Sequence, residues 1–261
     1  MQSVIKINKK KINYHLKEFL KIYEERPIKN NKNGMKINHM FALFYLLKSL
    51  KPKFIIESGI LKGQSTWLIE KTLPNAKLIS IDINLDSRIY ISKKVKYLDK
   101  DFKYFNEKID PNKTLAFFDD HTCHLERLMQ CKNFNIKKII FEDNYRLKKG
   151  DFNSLDLILK KKNFVHKVNP ISHLKTLIIF SIEIFKKIFF FNYIIKFDKI
   201  HFRLRDRENK DNDLFLKNIK EIFEFPKILD LTTNKALIKK IKKKYKLEIN
   251  SYNFLTYITL K

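Results

Sequence analysis

Apolar residues recur at helical spacing through the first fifty residues of the chain. Ile12, Leu16 and Leu20 repeat every fourth position, which predicts an amphipathic helix over residues 10–24. A second helix, strongly apolar, is predicted over residues 37–50. We therefore treat residues 1–50 as a helical extension that precedes the main domain.

From residue 54 the pattern changes to short apolar runs separated by helical segments. The predicted strands lie at 54–56, 78–81, 95–98, 115–118 and 139–141, and a helix is expected over 64–73. Such alternation predicts an α/β domain with a doubly wound, mostly parallel sheet. Further along, helices are expected over 211–223 and 231–245, and a strand over 254–260 that closes the sheet. The domain is assigned to 51–170 and 206–261.

Acidic residues mark the ends of all five predicted strands. They are Glu57, Asp82, Asp101, the pair Asp119-Asp120 and the pair Glu142-Asp143. In doubly wound sheets, ligands bind beyond the carboxyl ends of the strands. The chain has only 28 acidic residues against 55 basic ones, so this placement is not the scatter expected of solvated loops. The sequence therefore predicts a ligand site along this edge.

The first predicted strand leads into a loop that contains two of the four glycines in the chain, Gly59 and Gly63. Glycine permits the tight turn and the close approach of backbone to a ligand. An acid that follows the second strand, here Asp82, can accept hydrogen bonds from ribose hydroxyls. Because the loop is not G-x-G-x-x-G, a nicotinamide or flavin cofactor is disfavoured.

The loop has the form E-x-G-x-x-x-G-x-S, from Glu57 to Ser65, and resembles the first motif of class I S-adenosylmethionine-dependent methyltransferases. It is most similar to the cation-dependent O-methyltransferases and the cephalosporin hydroxylase group. The resemblance implies a Rossmann-like methyltransferase fold and S-adenosylmethionine (SAM) as the cofactor. The cofactor residues that it implies are Glu57, Gly59, Gly63, Ser65, Asp82 and, beside the adenine, Asp101.

Oxygen ligands converge where the fourth and fifth strands end, and oxygen ligands favour Mg²⁺, Ca²⁺ or Mn²⁺. The resemblance to the cation-dependent enzymes implies Mg²⁺ held by Asp120, Asp143 and Asn144, and the hydroxylase group adds Glu142. The alternative is that these acids only cap helices and face water. Catechol-type relatives carry a lysine base where this chain has Cys123. His121 and His124 are the candidate bases, because histidine titrates near neutrality, although either can equally be a histidine without a role.

The formal net charge of +27 suggests a polyanionic partner or, equally, a solvated surface. Only seven of the 55 basic residues are Arg, whereas nucleic-acid proteins favour Arg for phosphate and base contacts, so nucleic acid is a minor expectation. Two cysteines exclude a disulfide scaffold, and neither a signal peptide nor a long uncharged apolar run is apparent. These features predict a cytoplasmic protein.

Residues 172–197, within a predicted helical insert at 171–205, are rich in Ile and Phe. They predict either a cap that packs on the domain or on a second subunit of a homo-oligomer, or an interfacial helix at the inner membrane face. The leading functional prediction is methyl transfer from SAM to an oxygen of a small molecule or glycan, assisted by Mg²⁺. The alternatives are an RNA methyltransferase and a relative of the fold that does not methylate.

Overall fold

The structure is a computed structural model that describes residues 7–146, 150, 152–160, 216–252 and 254–261. The insert at 171–205 and the first part of the helix expected over 211–223 lie outside the described residues. The described α-helices are α1 Lys9–Glu24, α2 Ile37–Leu50, α3 Gln64–Thr72, α4 His124–Asn133, α5 Leu155–Leu159, α6 Ile228–Leu231 and α7 Lys235–Lys244. Short 3-10 helices occupy Phe102–Tyr104 and Pro111–Lys113.

A seven-stranded sheet runs through the described part of the chain. Its strands are β1 Phe54–Ser58, β2 Lys77–Asp82, β3 Val95–Asp99, β4 Thr114–Phe118, β5 Lys138–Phe141, β6 Ile219–Glu224 and β7 Thr256–Leu260. The order across the sheet is β3-β2-β1-β4-β5-β7-β6, in which β1 to β5 are parallel and β7 runs antiparallel to β5 and β6. The predicted fold class, a doubly wound and mostly parallel α/β sheet, is confirmed.

Alternating residues of the central strands face two separate cores. Phe117 of β4 and Ile140 of β5 belong to the core that α1, α2 and α3 cover. Phe118 and Phe141, one position further along, belong to the core on the other face, together with Leu128 of α4. This is the period of two that a pleated strand imposes, and it explains why strands buried on both faces are continuously apolar. Both faces of these central strands are therefore covered.

Three predictions for the C-terminal part differ from the structure. Residues 219–223, expected to be helical, form most of β6, because pairing with β7 outweighs the local helical pattern. The strand expected over 254–260 starts at Thr256, and it lies between β5 and β6 instead of closing the sheet. The helix expected over 231–245 is broken, since Asn234 caps a new helix by accepting a hydrogen bond from the Leu237 amide at 3.1 Å.

The N-terminal helices share a hydrophobic core with the sheet. Phe19 of α1 and Phe41 of α2 are buried in the same cluster as Leu68 of α3 and Phe117 of β4. The assignment of residues 1–50 as a separate extension stays a prediction. Among the described helices, none combines the length and the apolar character that crossing a membrane would require.

Candidate functional site

The parallel strands end level with one another. Ser58, the last residue of β1, pairs with Ile81 of β2 on one side and with Phe118 of β4 on the other. Phe118 in turn pairs with Phe141, the last residue of β5. The acidic residues that follow these strands therefore lie along a single edge of the sheet, as the sequence led us to expect.

A cavity of about 390 Å³ opens at this edge. It is lined by Asn33, Ser58, Gly59, Leu61, Asp82, Ile83, Asn84, Ser87, Lys100, Asp101, Asp119, Asp120, His121, Thr122 and Arg127. The volume falls in the range of ordinary small-molecule sites. Of the predicted cofactor residues, three line the cavity directly: Gly59, Asp82 and Asp101.

Both glycines of the loop are required by its geometry. Gly59 has a φ of +94°, and a Cβ there would lie 2.1 Å from the carbonyl oxygen of Asp119. Gly63 caps α3 with a φ of +86°, and a Cβ there would lie 2.7 Å from the carbonyl oxygen of Tyr90. The loop is thus pressed against the end of β4 on one side and against the segment after β2 on the other.

Asp82 holds the same loop from the end of β2. Its Oδ2 accepts hydrogen bonds from the backbone amides of Ile60 at 2.7 Å and Leu61 at 3.3 Å, and its Oδ1 accepts one from the amide of Asn84 at 3.0 Å. A carboxylate oxygen can accept more than one hydrogen bond, so capacity remains for a ligand in the cavity. Asp82 therefore shapes the loop and also presents a charge to the cavity.

Glu57 lies beneath the loop and does not line the cavity. It is 0% exposed, and its Oε2 accepts hydrogen bonds from the hydroxyls of Thr66 and Ser80, each at 2.6 Å. Burial raises the pKa of Glu57. The Ser65 hydroxyl acts in the opposite direction and lowers the pKa of Glu57. Glu57 and Ser65 therefore support the loop from inside.

Arg127 of α4 is a cavity residue that the sequence did not reveal. It is 1% exposed, and its two terminal nitrogens each donate to one oxygen of Asp101 at 2.9 Å. Its Nε donates to Oδ2 of Asp120 at 3.0 Å. Burial opposes the charge of Asp101, but the hydrogen bonds and charge of Arg127 outweigh it and lower the pKa of Asp101. One arginine thus joins the acids that follow β3 and β4.

Three neighbouring carboxyls form what we call the acid cluster: Asp119, which is half-buried and lines the cavity, and the buried Glu142 and Asp143. Burial and the charge of Asp143 raise the pKa of Asp119 and of Glu142 well above their ordinary values. Two histidines adjoin the cluster. His121 places its Nε2 3.5 Å from Oδ2 of Asp143, and His39 of α2 places its Nε2 3.4 Å from Oε1 of Glu142.

The acid cluster offers two overlapping sets of ligand atoms, each within 4.8 Å of one another. One set is Asp119, His121 and Asp143, and the other is His39, Glu142 and Asp143. His39 was missed because it lies in the N-terminal helices, far along the sequence from the other members. Only the topology of the sheet and the packing of α2 bring it to the strand ends.

Two of the four predicted metal ligands are occupied by protein partners. Asp120 accepts hydrogen bonds from Arg127 and, at 2.6 Å, from the Ser58 hydroxyl. Asn144 donates to Glu224 at 2.7 Å, and its side-chain oxygen accepts from the amide of Asp156 at 2.8 Å. The predicted ligands Glu142 and Asp143 belong to the acid cluster, whereas Asp120 and Asn144 are bonded away from it.

The two candidate bases occupy different environments. The side chain of His121 is 44% exposed and lines the cavity beside Asp143. His124 is buried at the start of α4, stacks on Phe141 with ring centroids 3.8 Å apart, and does not line the cavity. Its Nδ1 accepts a hydrogen bond from the amide of Leu155 at 3.0 Å, and burial lowers its pKa to about 3. His124 is therefore a neutral structural residue in this arrangement.

The sequence matches no protein-family model and no curated protein. Similar solved structures include the O-methyltransferase from Bacillus cereus in complex with S-adenosylhomocysteine (SAH), with 12% identity over 95% of this chain and 91% of that chain, at a TM-score of 0.42. The plantazolicin methyltransferase BpumL with SAH and a desmethylPZN analogue has 15% identity over 97% and 100%, at 0.41. CmcI with Mg and SAM has 20% identity over 41% of this chain and 53% of its own length, at 0.35.

Proposed function

We propose that this chain is a SAM-dependent methyltransferase that methylates an oxygen of a small molecule or glycan, with a divalent cation bound beside the cofactor. One observation carries the proposal. A single cavity is bounded by the glycine loop and Asp82 at one side and by Asp119 of the acid cluster at the other. A nucleoside cofactor and an acceptor oxygen can therefore meet within one cavity.

The cofactor end is formed by loop backbone and by acids. Gly59 and Leu61 line the cavity, and the loop leads directly into α3. Asp82 and Asp101 lie at the ends of adjacent strands, where carboxylates can accept hydrogen bonds from ribose hydroxyls and from the adenine amino group. SAM also carries a sulfonium cation, and the acids that line the cavity favour it over a neutral analogue.

The acid cluster fits a divalent cation, because buried carboxyls that raise each other's pKa are relieved by either a proton or a cation. Asp119 and Asp143 would hold the cation, with Glu142 next to them. A cation bound there would supply Lewis-acid chemistry, which lowers the pKa of an acceptor hydroxyl. Carboxylate ligands suit Mn²⁺ as well as Mg²⁺, so Mn²⁺ can serve as the probe cation.

The protein's own groups would orient the acceptor and remove its proton. His121 lines the cavity, and Asp143 at 3.5 Å from its Nε2 would stabilise the imidazolium that forms when it takes up a proton. Most of the acceleration would come from holding the acceptor oxygen in line with the methyl group, since transfer between bound partners needs little more than alignment. His121 is thus the proposed base and His124 is not.

Calorimetric titration of SAM and SAH, with and without Mg²⁺ or Mn²⁺, tests the proposal. We expect the wild-type protein to bind SAH and Asp82→Asn to bind it about tenfold less tightly, which is the worth of a hydrogen bond to a charged group. Asp110→Asn is the matched control, because Asp110 is an acid outside the cavity that pairs with Lys113. Equal SAH affinity of Asp82→Asn and the wild type would contradict the proposed cofactor position.

A further inference from the structure

Arg127 donates hydrogen bonds to two acids of the cavity and to two further polar side chains. Besides both oxygens of Asp101 and Oδ2 of Asp120, it donates to the Thr122 hydroxyl at 3.1 Å and to Oε1 of Gln130 at 2.8 Å. The guanidinium also lies 5.8 Å from the ring centroids of Phe102 and Phe118. Every nitrogen of the guanidinium is engaged, so its position is determined from all sides.

These contacts connect three parallel strands. Asp101 follows β3, Asp120 follows β4, and the Ser58 hydroxyl at the end of β1 donates to the same Oδ2 of Asp120 that Arg127 reaches. Ser58, Asp101, Asp120 and Arg127 all line the cavity. We call Asp101, Asp120 and Arg127 the arginine-bridged wall.

Asp120 and the preceding residue, Asp119, contact different partners. Oδ2 of Asp120 accepts from Ser58 and Arg127, and its Oδ1 accepts from the amide of Thr122 at 3.3 Å. Asp119 instead has Asp143 and His121 as its charged neighbours. Oδ2 of Asp120 is therefore already paired with Arg127, and Asp120 is not among the ligand atoms that gather around Asp143, whereas Asp119 is.

We propose that Arg127 is a positioning residue that holds Asp101 and Asp120 as one wall of the cofactor cavity, and that Asp120 serves this wall and leaves the cation to Asp119 and Asp143. The inference rests on the proposed function, because it assigns different roles to two adjacent acids of the same cavity. Arginine suits the position because its planar fork engages both oxygens of Asp101 while its Nε reaches Asp120, and the ammonium of lysine has no such fork.

The first experiment measures SAH and Mn²⁺ affinity for four variants. We expect Arg127→Lys, which keeps the charge but not the fork, to lower SAH affinity about tenfold. Asp120→Asn should also lower SAH affinity and should keep the wild-type Mn²⁺ affinity. Asp119→Asn should weaken Mn²⁺ binding by about tenfold or more, as loss of a ligand does. Arg26→Lys is the control, because Arg26 is also buried and pairs with Glu248, a residue that does not line the cavity.

Loss of Mn²⁺ binding in Asp120→Asn, with Asp119→Asn unaffected, would overturn the inference. So would an Arg127→Lys variant that binds SAH as tightly as the wild type does. If Arg26→Lys lost SAH affinity to the same extent, the effect would be general destabilisation and the positioning role would likewise be wrong.

A second measurement judges the wall without any ligand. Asp101→Asn and Asp120→Asn should each destabilise the protein that retains Arg127, because each removes a charged hydrogen-bond partner. Combined with Arg127→Met, the same replacements should be stabilising, since they relieve carboxylates left unpaired at a buried site. If each replacement changed the unfolding free energy equally with and without Arg127→Met, the proposed role of Arg127 would be wrong. A wild-type protein that binds neither SAH nor Mn²⁺ would contradict the proposed function. The unfolding data would still test whether Arg127 holds Asp101 and Asp120 together.

Discussion

The arginine-bridged wall and the acid cluster lie at the same edge of one sheet, yet they treat their carboxylates in opposite ways. In the wall, Asp101 has Arg127 as a partner, and the pKa of Asp101 is lowered as a result. In the acid cluster, Asp119 and Glu142 face another carboxyl, and burial together with that charge raises the pKa of both. Two consecutive residues belong to the two different groups: Asp119 to the acid cluster and Asp120 to the wall.

The difference shows which part of the cavity the protein completes by itself. The wall carries its own cation, so its geometry is set before any ligand arrives. The acid cluster has a surplus of negative charge that only a proton or a bound cation can remove. A protonated cluster is an acceptable resting state, and the proposed divalent cation would take the place of that proton.

The largest effect on both regions is expected from Gly59→Ala. The new methyl group would collide with the backbone of Asp119, and alanine at a φ of +94° is strained even without the collision. We expect a loss of about 1–3 kcal/mol of unfolding free energy from strain alone and a loss of SAH binding. Urea unfolding and calorimetry measure the two effects.

Gly34→Ala is the control for that change, because its Cβ would meet only side-chain atoms of Asn31, which can move more easily than backbone. It should retain SAH binding. A Gly59→Ala protein that binds SAH normally would show that the glycine loop and the end of β4 need not be in contact, and the comparison of the two regions as parts of one site would fail.

The fold could be predicted from the sequence because burial on both faces leaves a plain signal. Continuous apolar runs such as Leu115–Phe118 are typical of strands in a parallel sheet. Acidic residues follow directly where such runs end. The weak points were at the sheet border. β6 mixes apolar and charged residues in a way that also suits a helix, and its strand conformation is decided by pairing with β7.

The roles of individual acids could not be predicted, because they depend on partners from distant elements. Nothing in the sequence distinguishes Asp119 from Asp120, and the resemblance favoured Asp120 as the cation ligand. The partner that separates them, Arg127, comes from the middle of α4, and His39 comes from a helix that precedes the whole sheet. Topology places acids at one edge, but only side-chain packing shows which of them are already neutralised.

Dependence of stability on pH should sharpen the comparison. The folded-state pKa of Glu142 is raised, so the folded protein holds a proton that the unfolded chain loses in the ordinary carboxyl range. That stabilising contribution is complete at low pH and disappears as pH rises through the raised pKa. We therefore expect the stability of the wild type, measured in a chelator, to fall relative to that of Glu142→Gln as pH rises from about 5 to about 8.

The stability of Glu142→Gln must be subtracted from that of the wild type, because two histidines make stability depend on pH in the opposite direction. The pKa of His39 is lowered by burial to about 4 and that of His124 to about 3, so both favour the unfolded chain as pH falls below 6.5. Adding Mn²⁺ should remove the fall at higher pH. A difference that stays constant across the range would mean that the acid cluster is not short of positive charge, and the contrast with the wall would disappear.

A last pair of replacements separates the two histidines. His124→Phe keeps the ring on Phe141 but leaves the Leu155 amide without its acceptor, which should cost about 1–3 kcal/mol of unfolding free energy. Mn²⁺ affinity should stay at the wild-type level. His121→Asn should behave in the opposite way, with stability within about 0.5 kcal/mol of the wild type and with altered Mn²⁺ affinity. Asn is chosen because His121 has a φ of +52°, a conformation that asparagine tolerates.

The two histidines thus report on the two kinds of position that meet at this edge. His124 has its partner supplied by the protein, as the acids of the wall do, and its replacement should be felt only in folding. His121 lines the cavity and lies next to Asp143, and its replacement should be felt only when a ligand binds. If His124→Phe changed Mn²⁺ affinity while His121→Asn left it unchanged, the roles assigned to the two histidines would be wrong. The ligand-binding histidine would then lie in α4 and not directly after β4.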